Sequence, residues 1–170
     1  MTVSEAIRER RSVRKFVAGA EVSDEQIKIL LEAAMLAPSA CNTRPWEFIV
    51  VKNREKLDKI REFHPYTGML ATASLAIVIV ALPQKQNAPI SSGYFPQDCG
   101  AATQNILLQA LDLGLGACWC GVYPKEDRIS ELASILNIDN LPFCVIAIGV
   151  PDESPEARGK YEESKVTVVE

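Results

Sequence analysis

Between a helix-forming stretch that ends near Met35 and an apolar run that begins at Trp46, the chain reads Ala37-Pro-Ser-Ala-Cys-Asn-Thr-Arg-Pro-Trp-Glu-Phe48. Two prolines fix both ends of this turn. Pro38 cannot continue a helix, because its ring removes an N–H and clashes with the preceding turn. Pro45 biases Arg44 toward extended geometry, so a strand should begin directly after it. The chain must therefore pass from helix to strand within a few residues. Between the prolines lie small residues and one amide, Asn42. Small residues let backbone approach a flat ligand, and Asn42 offers both a donor and an acceptor to the edge of a heterocycle. The same composition also describes an ordinary connection between a helix and a strand.

A chain of 170 residues with 48% hydrophobic composition is the size of one domain that can bury its own core. A net charge of -4 argues against a nucleic-acid partner, which selects for a basic domain, so any basic patch must be local. Met1 to Lys15 is charged rather than apolar, which is unlike a signal peptide, and the longest apolar run, Gly68 to Leu82, is too short to span a bilayer. The expected compartment is the cytoplasm, with no membrane partner. Five cysteines, Cys41, Cys99, Cys118, Cys120 and Cys144, are an odd number and are expected to be reduced. Cys118-Trp-Cys120 lacks the two-residue spacing of a zinc clip, and the single histidine cannot complete a ligand set, so no metal site is expected. His64, before Pro65 and beyond a charged helix, reads as a solvated loop residue.

That local basic patch is near the N-terminus. Arg8, Arg10, Arg11, Arg14 and Lys15 are five of the eighteen Lys and Arg residues, and they fall within eight positions. If residues 10–14 are extended, Arg10, Ser12 and Arg14 share one face and present two guanidinium forks and a hydroxyl to one group, which suits a phosphate monoester. A solvated basic face is the other reading of the same residues.

Along the chain, Thr2 with Glu5 and Ser23 with Gln26 form capping-box patterns, the second opening a helix with Ile27, Leu30, Leu31 and Ala34 on one stripe. Trp46 to Val51 reads as a strand, Asn53 as the cap of a charged helix, and Leu75 to Leu82 as a central strand covered on both faces. Pro83 to Gly93 is a loop, a candidate lid. Asp98 to Leu113 is a charge-poor helix apolar on most sides, and Ala117 to Tyr123 a short strand. Pro124 opens an amphipathic helix, and Phe143 to Val150 is a second buried strand. After Pro151 a polar stretch is followed by an extended run, Val166 to Val169, which is expected to lie across another surface. Helices alternating with strands would by themselves suggest a parallel sheet.

Four motifs occur in order: Arg10-Arg-Ser-Val-Arg14, Ala37-Pro-Ser-Ala-Cys-Asn42 with Pro45-Trp-Glu-Phe48, the Gln104 to Gly116 helix, and Trp119-Cys-Gly121. Together they resemble the FMN-dependent nitroreductase family from the N-terminus to about Pro151. The resemblance implies an α+β fold with a central, mostly antiparallel sheet flanked by helices, in an intertwined homodimer holding FMN at the interface. It divides the chain into an FMN-binding domain, residues 1–151, and a C-terminal extension, residues 152–170, that docks on the partner subunit. By motif, Arg10, Arg11 and Ser12 would hold the FMN phosphate, and Arg14 the ribityl chain and the N1–O2 side of the ring. Asn42 would meet the pyrimidine edge, with Pro38, Ser39, Ala40 and Cys41 close to the ring, these residues coming from the partner. The N–H groups of Cys120 and Gly121 would face N5 and O4, and Arg158 and Lys160 would close over the phosphate. Arg44 stands where many members have glutamine, and a cation there either favours an anionic substrate or adds to the N1–O2 clamp.

The implied activity is transfer of electrons from NADH or NADPH through FMN to a small acceptor such as a nitroaromatic or a quinone. No side chain need be catalytic, because the cofactor carries the chemistry and the protein orients it. Three other readings share these residues. They are a phosphate- or nucleotide-binding module without redox activity, a thiol-redox protein using Cys118 and Cys120, and a flavin-dependent biosynthetic or dehalogenating enzyme of the same family.

Overall fold

The computed structural model describes residues 1–86, 89–156, 159 and 161–170. Its elements are α1 (Val3–Glu9), α2 (Asp24–Met35), β1 (Trp46–Val51), α3 (Arg54–Phe63), β2 (Leu75–Ala81), α4 (Phe95–Asp112), β3 (Gly116–Gly121), α5 (Glu126–Leu136) and β4 (Leu141–Gly149). The first three helices begin where side chains can satisfy their free N–H groups. Thr2 and Glu5 exchange both capping-box bonds, at 3.2 and 2.7 Å, and Ser23 and Gln26 do the same at 3.1 and 3.0 Å. Asn53 Oδ1 accepts the Lys56 N–H at 2.9 Å. α2 stops at the residue before Leu36, ahead of Pro38. α4 starts three residues earlier than its sequence suggests, because Pro96 is tolerated in the first turn.

The four strands form one sheet in the order β1-β2-β4-β3, and every neighbouring pair is antiparallel. The parallel arrangement suggested by alternation alone is thereby corrected, in agreement with the antiparallel sheet that the motifs imply. The reason lies in residues 52–74. Val51 pairs with Ala76, so α3 and the 3-10 turn Gly68–Ala71 go out and come back to the same end of the sheet. A helix alone would have carried the chain to the opposite end.

β2 and β4 are central and buried on both faces, which explains their unbroken apolar sequences. Their alternate residues feed two cores. Leu75, Ile77, Ile79, Ile146 and Ile148 pack under α2 and α4, while Ala76, Val78, Val80, Val145 and Ala147 pack under α3 and α5. Helices thus cover both faces of the sheet. No helix among the described residues is long and apolar enough to cross a membrane.

Val166 to Val169 forms no strand within the chain, and Val168 and Val169 are exposed by 77% and 90%. One expectation fails here. His64 is not solvated but 1% exposed, because the turn after α3 folds it under the end of β3.

Candidate functional site

α1 ends at Arg10, whose backbone turns to φ -56 and ψ 130, and the basic segment continues in extended form. Ser12 bridges Ala117 in parallel fashion, and the Val13 N–H donates to the Ala117 carbonyl at 3.0 Å. Val13 and Phe16 are buried and anchor the segment. Burying a phenylalanine such as Phe16 is worth about 1.5–3 kcal/mol. The approach is close because Gly116 and Gly149 lack side chains, and a Cβ on Gly116 would come within 2.8 Å of Val13 Cγ1. With Val13 directed into the core, Arg10, Arg11, Ser12 and Arg14 line one cavity of about 920 Å³. The expected convergence of these four residues is therefore present.

Arg11 differs from the other arginines. Its Nε donates to the Glu156 carbonyl at 3.0 Å, and its Nη1 to the carbonyls of Arg8 and Arg10 at 2.6 and 2.7 Å. Among the described residues its Nε and Nη1 are engaged and its Nη2 is not, so Arg11 mainly ties the basic segment to the tail. The start of the tail is held within the same chain. The Asp152 N–H donates to the Lys15 carbonyl at 2.9 Å, and the Glu153 carboxylate accepts the N–H groups of Arg14 and Lys15. Arg158 and Lys160 lie outside the described residues.

Arg14 also lines a second cavity, of about 470 Å³, with Tyr66, Met69, Cys118, Trp119 and Gly121. It therefore joins the basic cavity to the end of β3. The bond from Val13 to Ala117 reveals which residues of β3 turn their polar backbone groups away from β4. By the two-residue period these are Ala117, Trp119 and Gly121. The N–H of Cys120 instead faces β4, so the outward N–H groups at this end of the strand are those of Trp119 and Gly121, not the expected Cys120 and Gly121. The Cys118 and Cys120 side chains share the opposite face. The Cys118 thiol is pulled down, first by the neighbouring Cys120 thiol, against burial, and then by Arg14, the Ser12 hydroxyl and Arg10. The Cys120 thiol is pushed up correspondingly.

His64 stands behind this edge. Its Nδ1 accepts the Tyr66 N–H at 3.2 Å, so Nε2 must carry the hydrogen and donate to the Gly121 carbonyl at 2.9 Å. Arg128 Nη1 donates to the same carbonyl at 3.1 Å, and its guanidinium lies over the Tyr66 ring, 5.3 Å from the centroid. Burial pushes the His64 pKa below its ordinary value, the Gly121 bond opposes this, and the Arg128 cation adds to it. Neutral His64 thus contributes stability that is present above the unfolded value near 6.5 and is lost as pH falls through the depressed folded value. We expect the unfolding free energy to fall between pH 7 and 5 more steeply for the wild type than for His64→Gln. Urea denaturation at stepped pH checks this, and parallel curves would refute it.

The loop between the two prolines is built differently. Cys41, Asn42 and Arg44 have φ of 52, 54 and 46, a left-handed conformation that costs non-glycine residues roughly 1–2 kcal/mol each, less for asparagine. Side chains hold it there. Ser39 Oγ accepts the Arg44 N–H at 2.9 Å, Thr43 Oγ1 donates to the Ala40 carbonyl at 2.9 Å, and Arg44 Nε donates to Asn42 Oδ1 at 3.0 Å. The buried Asp98 carboxylate accepts the Ala40 N–H at 3.0 Å and a bond from Gln86 at 3.4 Å, while Gln86 also accepts the Gly93 N–H. Neither Asp98 nor Gln86 was singled out by sequence. An acid in the first turn of a helix was the only signal available. Pro38 is exposed, Ser39 and Ala40 are half-buried, and Cys41 and Asn42 are exposed. Arg44 lines a separate cavity of about 520 Å³ with Leu31, Trp46 and Phe48. Within one chain, then, the loop and the basic cavity are not brought together.

The sequence profile of the Nitroreductase family matches residues 7–66 and 64–150. The chain belongs to the nitroreductase family. This nitroreductase-family chain is 46% identical over 168 residues to a protein of Methanothermobacter thermautotrophicus named "Putative NADH dehydrogenase/NAD(P)H nitroreductase", an alignment that covers 98% of this chain and 86% of the relative. A crystal structure of a protein with the same name from Parabacteroides distasonis superposes with a TM-score of 0.90 at 38% identity, over 97% of this chain and 96% of the other. An FMN-dependent nitroreductase from Clostridium difficile superposes with a TM-score of 0.86 at 32% identity, over 98% of each chain.

Proposed function

We propose that this nitroreductase-family chain is an FMN-dependent oxidoreductase that takes electrons from NADH or NADPH and passes them to a small planar acceptor, a nitroaromatic or a quinone. The observation that carries this reading is the continuity through Arg14 between a cavity lined by Arg10, Ser12 and Arg14 and the outward N–H groups at the end of β3. The donor set fits the cofactor: cations and a hydroxyl for a phosphate, then N–H groups for the acceptor atoms of a flat ring.

Arg10, Ser12 and Nη2 of Arg11 would hold the phosphate. Arg14 would lie along the ribityl chain and bring a cation to the N1–O2 side of the ring. The N–H groups of Trp119 and Gly121 would meet the N5–O4 edge, with Cys120 contributing to the wall. Bound FMN would supply the exchange of a hydride equivalent with the nicotinamide and then with the acceptor. Because the loop of Pro38, Ser39, Ala40, Cys41 and Asn42 lines neither the basic cavity nor the cavity at the end of β3 in its own chain, a second copy would bring it to the ring in a homodimer. The bond from Arg44 to Asn42 would orient the amide toward the pyrimidine edge, and Arg44 would favour acceptors that carry an anionic group. Residues 152–170 would continue from their anchor at Arg11 and Glu153 onto the partner, with Val166 to Val169 docked there and Arg158 and Lys160 near the phosphate.

The expected result is a protein that takes up FMN, shows flavin absorbance, and oxidises NADH or NADPH in the presence of nitroaromatic or quinone acceptors. A protein that binds FMN but turns over none of these points to nucleotide binding without redox work. One that stays colourless when FMN is added removes the reading.

A further inference from the structure

We propose that Asp98 is a positioning residue for the ring-side loop, holding from the start of α4 the turn that presents Asn42; the assignment rests on the flavin reading above. Residues 38–44 otherwise bond to their own neighbours. The Asn42 N–H donates to the Ser39 carbonyl at 2.9 Å, the Thr43 N–H to the Ala40 carbonyl at 3.1 Å, and the side chains of Ser39, Thr43 and Arg44 bond within the same stretch. Among the described residues, one hydrogen bond ties this stretch to a distant part of the fold, from the Ala40 N–H to Asp98 Oδ1 across 58 residues. That N–H and the Ser39 carbonyl belong to one planar peptide. Asp98 therefore holds the same peptide to which the Asn42 N–H is bonded.

The turn needs that external hold. Cys41 and Asn42 are left-handed, at φ 52 and 54, a conformation that persists in such residues where the surroundings impose it. Ser39 precedes the turn but makes no side-chain cap bond to it, and its hydroxyl instead accepts the Arg44 N–H. Asp98 supplies the missing cap from another helix. It is itself fixed. It lies 6% exposed in the first turn of α4, and its second oxygen accepts from Gln86, whose own side-chain oxygen accepts the Gly93 N–H. The neighbouring Cys99 is buried against the Pro45 carbonyl, so the start of α4 runs along the loop to its exit. Asp98 lies outside the four family motifs found in the sequence.

The consequence is selectivity at the pyrimidine edge, the edge assigned to Asn42. N3 of the isoalloxazine carries a hydrogen there, and a methyl group at N3 removes that donor and crowds the edge. A held Asn42 should therefore discriminate FMN from N3-methyl-FMN, and a released one should not. The experiment measures the affinity of purified protein for both flavins, together with the Tm, for the wild type, Asn42→Ala, Asp98→Ala, Asp98→Leu and Asp98→Asn. The wild type is expected to prefer FMN by about tenfold, the size of one hydrogen bond. Asn42→Ala, Asp98→Ala and Asp98→Leu, the last keeping the buried volume without the acceptor, are expected to reduce the preference to within about twofold, with no further loss when Asn42→Ala and Asp98→Ala are combined. Asp98→Asn, whose Oδ1 can still accept the Ala40 N–H, is expected to keep most of the preference. Asp98→Ala and Asp98→Leu proteins with a lowered Tm but a wild-type preference would show that Asp98 only stabilises the fold, and would overturn the proposal. A wild type that binds no FMN, or an Asn42→Ala protein that keeps the preference, overturns the flavin placement itself, and is recognised before the Asp98 variants are compared.

Discussion

Arg10→Ala is expected to weaken FMN binding by about 10- to 150-fold while leaving riboflavin binding within about twofold of wild type. The range follows from losing a charge-assisted hydrogen bond, worth roughly 1.5–3 kcal/mol, at 1.36 kcal/mol per tenfold. Arg10 is suited to this test because it lines the basic cavity without the carbonyl bonds that occupy Arg11. Arg11→Ala should behave differently, since it also frees the Glu156 carbonyl and loosens the tail. Fluorescence titrations with both ligands decide the matter. An equal loss for FMN and riboflavin would mean that Arg10 shapes the cavity as a whole and does not read the phosphate.

The second large effect comes from a residue with no side chain. Gly116→Ala would place a Cβ 2.8 Å from Val13 Cγ1, 3.0 Å from Val13 Cβ and 3.1 Å from Phe16 Cε1. Val13 and Phe16 are both buried and cannot yield as a flexible surface side chain would. Their segment must move off β3, and Ser12 and Arg14 move with it. Overpacking of this kind costs about 1–3 kcal/mol, which for a chain of this size lowers Tm by roughly 2–12 °C, and FMN affinity should fall at the same time. Gly100→Ala is the control. Its Cβ would meet only Trp119 Cη2 at 3.7 Å, and in a helix the change should be neutral or stabilising by up to about 1 kcal/mol. A Gly116→Ala protein with unchanged Tm and unchanged FMN affinity would show that the basic segment is not held by that contact.

Both predictions turn on the division between local and non-local information. Sequence alone determined features whose partners are a few residues apart. The Thr2 and Ser23 capping boxes, the Asn53 cap and the stop ahead of Pro38 each depend on one turn of backbone, so reading the residues is enough to place them. It also determined which runs are buried on both faces, and that Arg10, Ser12 and Arg14 share a face, because the two-residue period of an extended segment is a local property. The direction of the strands was not local. An apolar run such as Leu75 to Ala81 suits a parallel or an antiparallel neighbour equally, and only the pairing of Val51 with Ala76 decides between them. Tertiary structure likewise decided that the Cys120 N–H turns into the sheet, through the bond from Val13 to Ala117. It decided that Asp98 holds Ala40 across 58 residues of sequence, and that His64 lies buried against Gly121, 57 residues away. A buried polar group must find its partner wherever the chain brings one, and no pattern in the residues around it records where that partner will be.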